Sequence, residues 1–246
     1  MEKRNLYNNT AKYYDLLESK KQITRELNFL TKPLKKNKVK TILDVACGTG
    51  IYLVGLKKKG FYVEGLDFSK SMLKESRKKD SKIKLYNQDM SSFRINKKYD
   101  SIVCLSSSLV ALPNFSLIKK TLKNIFNHLN SDGIFILDLP HHSVEIEKYN
   151  NVKKQISGKI PNGRASITFL STKKGNKWKQ ITSGEVTIKG KKTKFNEFWE
   201  ELIYSPKKLE DFLKKVGFTT MRIYGSLDGK KFNKNKSSHK VYLLKK

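Results

Sequence analysis

Apolar and polar positions follow two different periods along the first 140 residues of the chain. Short apolar runs typical of buried strands are separated by segments whose apolar residues recur at helical spacing. The runs predict strands at Thr41–Ala46, Tyr62–Leu66, Lys82–Tyr86, Asp100–Leu105 and Gly133–Leu139, and helices at Gln22–Lys35, Ile51–Lys58, Lys70–Lys78 and Phe115–Leu129. Strands that alternate with helices in this way predict a parallel sheet with helices on both faces.

The pattern changes after Pro140. Between Val152 and Tyr204 apolar and polar residues alternate, and glycine-containing turns interrupt them at Pro161-Asn162-Gly163, Gly175-Asn176 and Gly190-Lys191. This predicts an antiparallel meander of three or four strands. A helix at Pro206–Val216 and strands at Phe218–Tyr224 and Lys240–Leu244 follow. The fold class is therefore α/β, a seven-stranded, mostly parallel sheet with an antiparallel β insertion after its fifth strand.

These changes of pattern suggest a division of the chain. We assign residues 1–143 and 204–246 to one core domain, with an N-terminal helical cap over about residues 1–36. Residues 144–203 form an inserted antiparallel subdomain, which we expect to lie over the active site.

Charge and cysteine content limit the classes of function that the chain can have. The net charge is +30, with 52 Lys and Arg against 22 Asp and Glu, so attraction to a polyanion such as RNA has to be considered. Cys47 and Cys104 sit in or beside apolar runs and are predicted to be buried, reduced packing residues. No apolar run is long enough to span a bilayer and no leader segment is evident, so we expect a cytoplasmic protein without a membrane partner.

The clearest motif is Asp44-Val45-Ala46-Cys47-Gly48-Thr49-Gly50, which lies between a predicted strand and a predicted helix. Glycines at this turn let the backbone bend sharply and approach a ligand. A dinucleotide site would have a third glycine where this chain has Leu53. A single G-x-G beside an acid suits a ligand with a positive ammonium group and a small carboxylate, such as methionine.

Two further acids follow the next two strands. Asp67 lies 23 residues after Asp44 and can accept hydrogen bonds from both hydroxyls of a ribose. Asp89 lies 22 residues after Asp67 and can accept from an adenine amino group, while the Met90 N–H meets a ring nitrogen. Phe68 and Met72 are placed to pack on the adenine. Ligands of such sheets bind at the carboxyl ends of the strands.

With these motifs, the chain resembles the class I S-adenosylmethionine-dependent methyltransferases, which have a Rossmann-like sheet. The resemblance rests on Leu43–Gly50, Gly65–Leu73, Asn87–Met90 and Tyr99–Leu105 and is strong over about residues 40–140. It implies S-adenosylmethionine as the methyl donor, S-adenosylhomocysteine as its product, and no metal. The implied cofactor contacts are Tyr14, Asp44, Ala46, Gly48, Gly50, Asp67, Phe68, Met72, Asp89, Met90 and Leu105.

A narrower resemblance connects the chain to a group that contains bacterial sugar-amine N,N-dimethyltransferases. The opening AKYYDLLESKKQITRE, the late insertion and Gly217-Phe218 carry it, and it implies that Tyr14, with Asp15 behind it, enters the cofactor pocket. The implied reaction is methyl transfer to N or O of a small polar molecule. Tyr14 and His141 are the candidate catalytic residues, with His142 beside them. Ser106, Ser107 and Ser108 are candidate contacts to a polar acceptor.

Two alternatives stay open. The net charge suggests an RNA methyltransferase, although the motif Asn/Asp-Pro-Pro-Tyr/Phe, typical of enzymes that methylate base amines, is absent after the fourth strand. A non-catalytic S-adenosylmethionine-binding protein is the other. The expected partner is a small-molecule acceptor, with nucleic acid as the minority possibility, and the chain is expected to be a monomer or homodimer.

Overall fold

The computed structural model describes residues 10–160 and 162–246. The strands are β1 Thr41–Val45, β2 Tyr62–Asp67, β3 Lys84–Asn87, β4 Tyr99–Cys104, β5 Leu129–Pro140, β6 Val152–Ile160, β7 Gly163–Lys174, β8 Lys177–Ile188, β9 Lys191–Leu202, β10 Thr219–Tyr224 and β11 His239–Lys245. The α-helices are α1 Ala11–Tyr14, α2 Lys20–Lys36, α3 Ile51–Lys58, α4 Lys70–Lys79, α5 Phe115–Asn127, α6 His142–Tyr149 and α7 Pro206–Val216, with 3-10 turns at Asp15–Leu17 and Ser108–Ala111.

Seven strands form one sheet in the order β10-β11-β5-β4-β1-β2-β3. Strands β1 to β5 are parallel where they pair, whereas β11 pairs antiparallel with both β5 and β10. The predicted seven-stranded, mostly parallel sheet is confirmed. The chain runs outward from β1 through β2 to β3 and then returns to β4 on the other side of β1. Such a switch point opens a crevice at the carboxyl ends of the strands, where ligands of this architecture bind.

Alternate residues of the central strands supply two separate hydrophobic layers. In β1, Leu43 and Val45 pack in the layer that contains helices α5 and α7, while Ile42 packs in the layer that contains α2 and α3. All three side chains are fully buried. Burial on both faces explains why the strand sequences are almost continuously apolar and were recognisable as parallel strands.

Element boundaries agree closely with the predictions. The bounds of α3 and α7 are as predicted, and α7 buries Leu209 and Leu213 while Phe212 and Val216 are partly buried. The predicted helix to Leu129 is two residues too long, because α5 ends at Asn127 and Leu129 already pairs with Tyr99 as the start of β5.

The insertion is a second sheet of four antiparallel strands, in the order β6-β7-β8-β9. Its turns lie at Asn162 and Gly175-Asn176, as predicted, and at Lys189-Gly190, one residue before the predicted Gly190-Lys191, while Pro161 of the first turn lies outside the described residues. The short helix α6 that leads into it was not predicted. The proposed division at residues 144 and 203 remains a prediction.

The N-terminal segment packs on the layer of α3. Helix α2 contains the predicted apolar stripe, with Ile23, Leu27, Leu30 and Leu34 buried. Residues 1–9 of the predicted cap lie outside the described residues. None of the helices in the described part of the chain is both long and apolar enough to cross a membrane.

Candidate functional site

A cavity lies at the carboxyl ends of β1, β2 and β4, at the switch point of the sheet. It brings together ten of the eleven residues predicted to contact the cofactor, namely Tyr14, Asp44, Ala46, Gly48, Asp67, Phe68, Met72, Asp89, Met90 and Leu105. Gly50 and the candidate catalytic residue His141 are not among its lining residues. The remaining lining includes Ser106, Ser107 and Ser108, which were predicted to face the acceptor.

The loop after β1 is shaped by backbone in the left-handed region. Ala46, Gly48 and Gly50 all have positive φ, at 62°, 53° and 74°. Apart from its two chain neighbours, a Cβ on Gly48 would meet no atom of the described residues within 4 Å, so this glycine leaves open space at the cavity. A Cβ on Gly50 would lie 2.3 Å from the Ser76 Oγ of helix α4. Gly48 therefore makes room for a ligand, whereas Gly50 is required by the turn and by packing beneath it.

Asp67, the last residue of β2, is held in place by backbone donors. Its Oδ2 accepts from the Gly48 N–H at 2.9 Å and its Oδ1 from the Ser69 N–H at 2.8 Å. Burial raises the pKa of the Asp67 carboxyl, and the backbone hydrogen bonds oppose that rise. Each carboxylate oxygen can accept more than one hydrogen bond, so capacity remains for the hydroxyls of a ligand.

Asp44 is the buried acid at the end of β1. Among the described residues, no donor lies within hydrogen-bond distance of its carboxylate, and its side chain is almost fully buried. Burial, with a smaller contribution from the charge of Asp67, raises the pKa of Asp44 to about 8. A ligand that brings a positive charge to this carboxylate would relieve the cost of its ionisation.

The region after β3 supplies the third acid. Asp89 Oδ1 accepts from both the N–H and the Oγ of Ser91, at 2.7 and 2.6 Å, which fixes the carboxylate at the cavity wall. Phe68 is partly exposed and Met72 is buried, so the cavity has an apolar wall near this acid. This combination fits a flat heterocycle that carries an amino group.

Tyr14 reaches the cavity because the segment that carries it is tethered to the core. The neighbouring Asp15 accepts from Thr49 Oγ1 at 2.6 Å and forms an ion pair with Lys79 of α4. Lys79 also donates to the Thr49 carbonyl at 2.7 Å. Burial, together with the charges of nearby acids, raises the pKa of Tyr14. The phenol therefore stays protonated at neutral pH and can donate a hydrogen bond, but it does not serve as a base.

The two histidines after β5 point to different places. The Nδ1 of His141 lies 3.0 Å from the Ser237 carbonyl and its Nε2 lies 3.1 Å from Ser143 Oγ, so the structure does not bring this predicted catalytic residue to the cavity. His142 is buried, and its Nε2 lies 3.1 Å from Glu201 Oε2. Of the pair, His142 is the one that contacts a cavity residue.

Several lining residues were not predicted, some within or directly after the glycine motif and others remote from it in sequence. They are Glu18, Cys47, Thr49, Ile51, Tyr52, Ala111, Leu112, Trp199 and Glu201. Trp199 and Glu201 lie two residues apart on β9, so both point to the face of the insertion that covers the cavity. The period of a strand places these two side chains on one face but does not indicate what that face covers.

The cavity is rich in carboxyl groups although the chain is strongly basic. Its lining contains Glu18, Asp44, Asp67, Asp89 and Glu201, and no Lys or Arg from the described part of the chain. Cys47 also lines it, but burial raises the pKa of this thiol well above its usual range, which agrees with the prediction that it is a packing residue. Within residues 10–160 and 162–246, no cluster of three or more His, Cys, Asp or Glu is arranged to hold a metal ion.

The known proteins that this chain resembles are methyltransferases. Residues 42–133 match the family described as a methyltransferase domain. The chain is 34% identical over 133 residues to the glycine/sarcosine N-methyltransferase of Halorhodospira halochloris, a match that covers 52% of this chain and 50% of that protein. It is 30% identical over 132 residues to the dTDP-3-amino-3,6-dideoxy-alpha-D-glucopyranose N,N-dimethyltransferase of Streptomyces fradiae, with 52% of each chain covered. The chain thus spans about half the length of these curated relatives.

The fold comparison extends over the whole chain. A crystal structure of an S-adenosylmethionine-dependent methyltransferase from Clostridium acetobutylicum superposes with a TM-score of 0.82 at 25% identity. The superposition covers 98% of this chain and 99% of that one.

Proposed function

We propose that the chain, whose residues 42–133 match a methyltransferase domain, is a class I methyltransferase that transfers a methyl group from S-adenosylmethionine to a nitrogen or oxygen of a small polar molecule. The observation that carries this proposal is the set of three carboxylates, Asp44, Asp67 and Asp89, around one cavity at the carboxyl ends of successive strands.

The cavity fits the cofactor on chemical grounds. The Asp44 carboxylate, which has no partner among the described residues, suits the ammonium of the methionine part. The open space at Gly48 admits its backbone atoms, and Asp67 accepts from ribose hydroxyls. Asp89, with Phe68 and Met72, suits the adenine. When bound, S-adenosylmethionine supplies a methyl group on a positively charged sulfur, already activated for in-line displacement.

The protein's own contribution is then mainly positioning. Tyr14 covers the cavity as a hydrogen-bond donor, held by the contacts of Asp15. Trp199 and Glu201 close it from the side of the insertion and limit the access of water. An acceptor amine has to lose a proton to expose its lone pair, and Glu201, which is held by His142, is placed to receive it.

A small acceptor is favoured over RNA by the charge of the cavity. Its five carboxyl groups would repel a phosphate close to the reacting atom, whereas they attract an amine. The positive net charge of +30 supports association with RNA elsewhere on the surface, so RNA is retained as an assay substrate.

Two measurements test the proposal. Calorimetry with S-adenosylhomocysteine should show binding, and Asp67→Asn should weaken it by roughly 5- to 100-fold, the cost of losing hydrogen bonds to a charged group. Asp211→Asn, an exposed acid on α7, is the matched control and should leave the affinity unchanged. A radiolabel assay with small amines, nucleotide sugars and total RNA then identifies the acceptor class. Absence of S-adenosylhomocysteine binding, or labelled RNA with no labelled small molecule, would contradict the proposal.

A further inference from the structure

We call the cavity at the carboxyl ends of β1, β2 and β4 the cofactor cavity. Another cavity, of about 340 Å³, adjoins it and shares six lining residues with it: Glu18, Tyr52, Ser106, Ser107, Trp199 and Glu201. We call it the acidic chamber because five carboxyl groups line it, those of Glu18, Glu26, Asp138, Glu145 and Glu201. The rest of its lining is Tyr52, Ser106, Ser107, Trp178, Gln180, Trp199, Leu227 and His239. A molecule placed here lies next to the site of methyl transfer.

The chamber has almost no positive charge to balance its acids. His239 is the one basic group in the described lining, and its Nδ1 lies 2.8 Å from Asp138 Oδ1. No Lys or Arg of the described residues lines the chamber. In a chain with a net charge of +30, such a concentration of carboxyl groups is opposite to what composition alone would produce.

Some of these carboxyl groups have structural partners and others do not. Glu26 accepts from Tyr52 at 2.6 Å and from Gln22 at 2.8 Å. By contrast, Asp138 is fully buried and its Oδ2 has no hydrogen-bond partner among the described residues. Buried carboxylate oxygens are normally satisfied, so an unsatisfied one in a cavity wall indicates a missing donor.

Glu145 is a second acid of the chamber whose surroundings disfavour its charge. Burial, with the charge of Glu201, raises the pKa of its carboxyl group to about 7. A cation in the chamber would reduce this repulsion and favour the ionised form.

Two indole side chains complete the chamber. Trp178 of β8, which is nearly fully buried, and Trp199 of β9 both line it. Indole is the aromatic group that attracts organic cations most strongly, and carboxylates beside indoles form a site for a positively charged nitrogen.

We propose that the acidic chamber binds the methyl acceptor as a small organic cation, a diamine or related amine that carries a second positive nitrogen and no carboxylate or phosphate. This proposal rests on the proposed function, since the amine beside the cofactor cavity is the one to be methylated. An acceptor such as glycine would bring a carboxylate to a wall that, among the described residues, has no Lys or Arg to receive it, and an unpaired buried charge is strongly disfavoured.

Calorimetry in the presence of S-adenosylhomocysteine tests the acceptor class directly. The probes are 1,4-diaminobutane, 1,5-diaminopentane, butylamine, 1,4-butanediol and glycine. We expect at least one diamine to bind about tenfold or more tightly than butylamine, with no binding of butanediol or glycine. Mass spectrometry after incubation with S-adenosylmethionine should show a methylated diamine.

Two variants locate the binding. Glu145→Gln and, independently, Glu201→Gln should each weaken diamine binding about tenfold while the melting temperature stays close to that of the native protein. The control is Glu147→Gln, which changes an exposed acid on the same helix as Glu145 and should leave the diamine affinity unaltered. Equal affinities for diamine and butylamine, or loss of diamine binding in the control but not in Glu145→Gln, would overturn the proposal.

The two proposals fail in different ways. If S-adenosylhomocysteine binds and glycine or an amino sugar is methylated while diamines are neither bound nor methylated, the acidic chamber proposal is wrong and the proposed function stands. If S-adenosylhomocysteine does not bind, the proposed function fails, and titration with diamines in its absence tests the acidic chamber proposal by itself. Diamine binding that is weakened by Glu145→Gln would then support the acidic chamber proposal, whereas absence of diamine binding would overturn it.

Discussion

Gly48 and Gly50 show how two residues of one motif perform different tasks. Both have left-handed backbone, so replacement by alanine strains both turns by about 1 kcal/mol. The methyl group of alanine would enter open space at the cavity in one case and collide with Ser76 in the other. Because the backbone strain is similar in the two alanine variants, any difference between them reports what the added methyl group meets.

We therefore expect Gly48→Ala to lower the affinity for S-adenosylhomocysteine at least tenfold with a modest loss of stability. Gly50→Ala should instead lower the free energy of unfolding by about 2–3 kcal/mol, because strain and overpacking add, and should affect affinity less. Calorimetry and thermal denaturation of the two variants, side by side, measure both effects. The interpretation fails if Gly50→Ala proves the more damaging to affinity.

Asp44 should make cofactor binding depend on pH. In the free protein its pKa is about 8, so below that pH the carboxyl group must release a proton to pair with an ammonium group. The affinity for S-adenosylhomocysteine should therefore fall, by up to about tenfold per unit, as the pH decreases from 8 to 6. Calorimetry across this range measures it.

Asp44→Asn should remove that dependence and bind weakly throughout. Since the pKa of Asp44 in the folded chain exceeds its ordinary value, ionisation of this group destabilises the fold as pH rises. The variant should therefore melt at a higher temperature than the native protein at pH 8. A variant that keeps both the native affinity and its pH dependence would show that Asp44 does not meet the ammonium.

At the scale of elements, the N-terminal segment that carries Tyr14 is attached to the core beside the cavity. Asp15 is the link, through Thr49 and Lys79. Asp15→Asn should free the segment that carries Tyr14, so that hydrogen exchange of residues 11–19 becomes faster and S-adenosylhomocysteine binds about tenfold more weakly. Glu75→Gln, which breaks an exposed ion pair within α4, provides the control and should change neither measurement.

The pairing of β11 with β5 contains a pH-sensitive ion pair. The charge of Asp138 raises the pKa of His239 to about 9, above its ordinary value near 6.5, and Glu145 and Glu201 add to the effect. The stabilisation is complete below about pH 6.5 and is lost as the pH rises through 9. Because the imidazole is 36% exposed and screened by solvent, we expect about 1–2 kcal/mol.

Thermal denaturation of the native protein and His239→Gln from pH 6 to 9.5 measures this contribution. The difference between their melting temperatures should shrink as the pH rises. Asp44 and Glu145 also titrate in this range, but both proteins contain them, so their effects largely cancel. A constant difference would exclude the pair as the source of the pH dependence.

The arrangement of strands and helices explains which site residues the sequence could predict and which it could not. Asp44, Asp67 and Asp89 each come at or shortly after the end of a strand, so their convergence follows from the topology of a parallel sheet. Trp199 and Glu201 depend on how a second sheet packs over the first, and nothing local in β9 specifies that. His141 and His142 differ by one position, and the rotation of a short, unpredicted helix decides which of them contacts Glu201.

The whole molecule combines a basic exterior with an acidic interior cavity. A net charge of +30 on 246 residues is self-repulsive, and salt screens that repulsion. We expect the melting temperature to rise as NaCl increases from about 10 to 200 mM, measured at constant pH. A melting temperature that is independent of salt would show that the lysines are spaced widely enough not to destabilise the fold.

Four residues of the acidic chamber, Trp178, Gln180, Trp199 and Glu201, come from strands β8 and β9, whereas the residues expected to contact the cofactor lie between residues 14 and 105. Substitutions in these two strands can therefore retune the acceptor side and leave the expected donor contacts unchanged. Grafting the β6–β9 sheet between relatives should shift acceptor preference only in part, because Glu18, Glu26, Asp138 and Glu145 stay with the recipient scaffold.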